Sequence, residues 1–116
     1  MDLPAELPES LTSRGIAVAT DGVVDVGWLR DDALEVVRAL HGTTVTIVGG
    51  DVFARQAWGF TATTESWNCE RAPGESTPDY SIRSRDWARE FVEGYDVDHA
   101  GDVVFVMYFG THQDAA

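Results

Sequence analysis

The sequence predicts an α+β fold: a single compact domain over residues 1–116, a mostly antiparallel sheet with two to three helices packed on it. Three observations carry this. Residues 103–109 of "DVVFVMYF" are seven consecutive apolar residues rich in β-branched and aromatic types, the pattern of a strand buried on both faces. "STPDYSIRSRDWAREFVEGY" places Tyr80, Trp87, Phe91 and Tyr95 at spacings of seven and four, the period of a helix with one apolar face. Between these, helical and β-prone runs neither alternate strictly nor segregate, which favours a mixed sheet-and-helix domain.

The elements follow in order. "LPESLTSRG" reads as a short helix, with Pro8 at its start and Gly15 as its stop. "IAVA" and "VVDV" are β-prone runs separated by "TDG", a turn signal. "RDDALEVVRALHG" reads as a helix. Asp31 and Asp32 suit its positive end, Leu34, Val36, Val37 and Leu40 form its apolar stripe, and Gly42 ends it. "TTVTIV" reads as a strand, and Gly49-Gly50 as the turn of a hairpin, since glycine at both central positions accepts positive φ. "DVFARQAWGFTAT" continues as a long or broken strand, and residues 64–77 as a polar loop. The last helix begins at a Ser76 or Thr77 cap, with Pro78 in its first turn and Asp79 and Arg83 as an i, i+4 ion pair. Residues 1–6 and 110–116 are expected to fray.

Charge bounds the function. The chain has 20 acidic residues against 8 basic ones, all arginine, for a net charge of -12. Such a surface repels phosphate backbones and anionic membranes, so neither nucleic acid nor membrane is an expected partner. It attracts basic proteins and speeds their association, although acidity also serves solubility alone. No segment reaches the roughly 20 apolar residues of a membrane span. The opening "MDLPAELPES" lacks a signal-type apolar run, and a single cysteine needs no oxidising compartment. A cytoplasmic location is expected.

The chemistry-bearing residues are few. Cys69 is the lone cysteine, in "TESWNCERAP". A thiol nucleophile needs a nearby base, and none of His41, His99 or His112 has a spacing that points to it. Glu65 and Glu70 would raise its pKa, with Arg71 opposing in part, so a buried packing role is the stronger reading. No CxxC or HxxxH pair marks a zinc site, and "DVDHAGD" at 96–102 lacks the glycine and terminal glutamate of a calcium loop. "VGGDVF" has neither phosphate-loop nor dinucleotide spacing. No cofactor or metal is expected, and no enzyme. Asp51 is either a turn acceptor or an exposed contact. Trp67, in the polar loop, either plugs the edge of the core or stands out as a binding anchor.

Taken together, "VGGDVF", "TESWNCER", "DYSIRSRDWAREFVEGY" and the terminal apolar strand make the chain resemble the Immunity protein 40 family. The residues carrying the likeness are Gly49, Gly50, Asp51 and Val52, then Trp67 and Cys69, then Tyr80, Arg83 and Ser84, and it spans about residues 7 to 108. The chain departs from the pattern at Thr64-Glu65-Ser66, where an aromatic residue and an Asp are common, and at Asn68, where an aromatic is common. The resemblance implies a bacterial protein of polymorphic toxin systems that neutralises a cognate toxin by binding it. With the acidic charge, it implies a basic toxin domain, such as a nuclease, as partner, bound by a monomer or homodimer. Gly49, Gly50, Cys69, Tyr80 and Arg83 are then expected to be structural. The expected contact face is the loop from Glu65 to Glu75, with Trp67, Glu70, Asp51 and Asp79. A small-ligand or regulatory domain with a pocket between sheet and helix is the competing reading.

Overall fold

The computed structural model describes residues 3–20, 22–96 and 102–110. Its elements are α1 (Glu9–Thr12), β1 (Ile16–Thr20), β2 (Val23–Trp28), α2 (Arg30–Ala39), β3 (Thr46–Gln56), β4 (Gly59–Asn68), α3 (Thr77–Gly94) and β5 (Val103–Gly110). The strands form one sheet in the order β1-β2-β5-β3-β4, and every neighbouring pair is antiparallel. The α+β class is as the sequence predicts. The edge strands β1 and β4 approach each other, so the sheet curls.

β5 is the spine. It lies between β2 and β3, and Val103 to Met107 are all buried, as a two-face apolar run requires. Its alternate residues feed two cores. Val103, Phe105 and Met107 join Trp28, Val36, Leu40 and Val92 on the helical side. Val104 and Val106 join Val18 and Phe53 inside the curl. Both β-prone runs near the start are true strands, paired from Ile16↔Gly27 to Thr20↔Val23. The first helix is a single turn, shorter than predicted, tied to the sheet where the Trp28 indole N–H donates to the Leu11 carbonyl at 2.9 Å.

Gly49-Gly50 is not a turn. Both residues lie inside β3, opposite Asn68 and Trp67 of β4, and the hairpin turns at Ala57-Trp58, where Gly59 takes φ +145°. The pair has a different physical role. A Cβ on Gly50 would collide with the Trp67 ring and stand 2.5 Å from the Val106 carbonyl. Glycine at this point lets the tryptophan lie flat on the strand. It follows that β4 runs on to Asn68, that Trp67 belongs to a strand and not to a loop, and that the loop shortens to residues 69–76.

Candidate functional site

The motif residues meet at one joint, where β4 hands the chain to α3. Trp67 is buried over Gly50 and stacks on Phe91 of α3 with ring centroids 4.7 Å apart. Such a pair contributes about 0.5–1.5 kcal/mol beyond its buried area. Tyr95 and Phe105 extend the aromatic row, in edge contact at 5.6 Å. Two residues on, the Cys69 N–H donates to the Val48 carbonyl at 2.8 Å and the Cys69 carbonyl accepts from the Tyr80 hydroxyl at 2.6 Å.

Arg83 closes the joint. Its Nε and Nη2 each donate to the Glu75 carboxylate at 2.7 Å, a bidentate pair, and Nη2 also reaches the Glu70 carbonyl at 2.6 Å. The expected partner was Asp79. Glu75 takes its place because the loop folds back on the first turn of α3, where the Glu75 carboxylate also accepts from the Ala72 N–H at 2.9 Å. Hydrogen bonds from Arg83, then the Ala72 N–H, hold the Glu75 carboxyl down at about 2. Arg83 is correspondingly raised above its ordinary value, chiefly by that carboxylate. Arg71 and Arg83 lie over the Tyr80 ring at 5.5 and 5.7 Å, and Arg71 donates to Thr77.

Cys69 sits inside this network. Its Sγ is buried and lies 3.3 Å from Arg83 Nη1. Burial pushes the thiol above its ordinary value; Arg83 opposes this and Glu75 adds to it. A protonated, enclosed thiol is a poor nucleophile. Among the described residues histidine gives it no help, since His41 is exposed at the end of α2; His99 and His112 lie outside those residues. Most of the calcium-like stretch at 96–102 lies outside them too. Among the described residues no group of three or more His, Cys, Asp and Glu is placed to hold a metal. None of the described helices is long and apolar enough to cross a membrane.

The six residues expected at a contact face separate. Glu65, Glu70 and Asp79 are exposed. Trp67 is buried, and Glu75 is held by Arg83. Asp51 is mid-strand and half-buried, accepting from the Tyr108 hydroxyl at 2.6 Å; burial, then Asp51, raises that phenol's pKa. The structural set, Gly49, Gly50, Cys69, Tyr80 and Arg83, is brought together. Trp87 departs from the predicted apolar face and is half exposed, as is Ile82.

Besides the apolar Ala88 and Val92, α3 turns polar residues to the sheet. Ser84 Oγ accepts from the Ile47 N–H at 3.0 Å, Ser81 Oγ donates to the Thr44 carbonyl at 3.1 Å, and Arg85 Nη1 donates to the Thr43 and Val45 carbonyls. The groove between α2 and α3, about 360 Å³, is edged by Arg38, Arg85 and Arg89. Each already has an acceptor: Glu35 for Arg38, the carbonyls for Arg85, Glu93 for Arg89. The groove lies between two helices, whereas the small-ligand reading expects a pocket between sheet and helix.

Fold and joint define a class: a small α+β domain whose motif residues hold its framework, with acidic residues such as Glu65, Glu70, Asp79 and Glu90 turned to solvent. The chain belongs to the Immunity protein 40 family, whose family model matches residues 10–109. Membership implies a toxin-neutralising immunity function, and immunity families are in general non-enzymatic. No curated protein and no solved structure matches the chain.

Proposed function

We propose that this protein neutralises a cognate toxin domain in the cytoplasm of the cell that makes it, by binding the domain one to one and transforming nothing. Membership of the family over residues 10–109 carries this reading. The engagement of Cys69, Glu75, Tyr80 and Arg83 with one another supports the absence of turnover, since none is left poised for chemistry. The net charge of -12 supports a basic partner, such as a nuclease, drawn in by long-range attraction. A stable complex of this kind buries about 800 Å² on each side. Of the six residues expected at the contact, the exposed Glu65, Glu70 and Asp79 are the ones available to it.

The test is growth rescue. Where a toxin gene adjoins this one, its C-terminal toxin domain is expressed with and without the protein, and association of the purified pair is measured at low salt. Rescue with association is the expected result. Failure of both would refute the reading.

A further inference from the structure

The outward side of α3 is organised in a way the inhibitor reading alone does not require. At about 100° per residue, Asp79, Asp86 and Glu90 fall in one row along the helix, opposite the buried Ser84, Ala88 and Val92. Ile82 flanks the row on one side and Trp87 on the other, 54% and 48% exposed. These residues line a shallow groove of about 420 Å³ beside the β4–α3 joint. Arg83, also on its wall, has its charge taken up by Glu75, and Arg89, 3.9 Å from Asp86, is paired more closely with Glu93 at 3.1 Å, so carboxylates set the sign of the groove.

A tryptophan half out of the core, beside a carboxylate row, fits the anatomy of a protein contact: an aromatic anchor that gains by burial, with charges beside it that select the partner. The charge also narrows the occupant. A second copy docked on the same face would bring one carboxylate row against another, and a nucleic acid would meet the same repulsion. The complementary surface is cationic, with Lys or Arg facing the row and an apolar socket beside it.

We propose that the outer face of α3, with Trp87 as anchor and Asp79, Asp86 and Glu90 as its charge pattern, is the surface that seizes the basic toxin domain. This deepens the inhibitor reading and rests on it. It moves the centre of the contact from the loop before the helix onto the helix itself, which keeps Asp79 and leaves Glu70 at its margin.

The probe is the toxin domain encoded beside this gene, inactivated at its own active site. Its affinity is measured for the wild type, Trp87→Ala, the triple variant Asp79→Asn/Asp86→Asn/Glu90→Gln, and Trp58→Ser, which alters an exposed tryptophan at the β3–β4 turn. Thermal melts establish that each is folded. Because the triple variant changes only exposed side chains, it serves if Trp87→Ala is unstable. We expect Trp87→Ala to weaken binding by about 30-fold or more, the scale of an interface hot spot. The triple variant should slow association about tenfold and flatten its salt dependence, while Trp58→Ser binds as the wild type does. If the wild type binds and both α3 variants bind equally well, the α3 surface is wrong and the inhibitor reading stands. If the wild type neither binds nor rescues, both are wrong.

Discussion

A thiol raised by burial and enclosed by Tyr80 and Arg83 should be slow to react. Native protein treated with a thiol reagent at neutral pH should label Cys69 far more slowly than the same protein in denaturant, and Cys69→Ala should keep full rescue of growth. Gly50→Ala makes the opposite kind of demand. Its backbone does not need glycine's positive φ, so the cost is steric: the new methyl meets Trp67, and chemical denaturation should show a loss of about 1–3 kcal/mol, typical of overpacking. Glu75 supplies the acid-sensitive contact. Its carboxyl is lowered in the folded state to about 2 from 4.5, so its stabilisation is complete above pH 4.5 and is lost as pH falls from there toward 2. Denaturation of wild type and Glu75→Gln should differ near neutral pH and converge across that window. At this scale the sequence favours a packing role for Cys69, since no base is suitably spaced and the neighbouring acids oppose a thiolate. It does not show what packs there, because Tyr80 and Arg83 come from 11 and 14 residues away.

At the scale of elements, β5 and α3 are legible because composition and period agree. Two misreadings have specific causes. Gly49-Gly50 fits a turn and a close approach equally well, and only the strand opposite, which brings Trp67 onto Gly50, decides between them. The apolar stripe of α3 is misplaced by roughly a quarter turn for Trp87, because hydrophobicity ignores the serines that face the sheet. Small residues let the helix lie close, and Ser84 then supplies an acceptor for a buried N–H of β3. Ser84→Ala should leave the Ile47 N–H unsatisfied and cost about 1–3 kcal/mol in a denaturant titration. Had α3 been held by apolar contact alone, that substitution would be nearly neutral.

For the whole molecule, the sequence carries the fold class, the family likeness and the sign of the charge. The contact surface is less legible, because exposure depends on how α3 is rotated against the sheet, which turns Trp87 outward, and on the pairing of β4 with β3, which lays Trp67 over Gly50. A net charge of -12 should make association with a basic toxin faster as salt is lowered, with the dissociation rate changing much less. The central claim is stoichiometric occupation without chemistry, and a titration of the toxin's own activity addresses it most directly. The toxin domain is held at fixed concentration well above the dissociation constant, increasing amounts of this protein are added, and residual toxin activity is followed over time. The expected result is a linear fall to a sharp end point at a fixed molar ratio, unchanged by longer incubation and with intact toxin recovered on denaturation. Progressive inactivation by a small fraction of one equivalent, leaving a modified toxin behind, would contradict it.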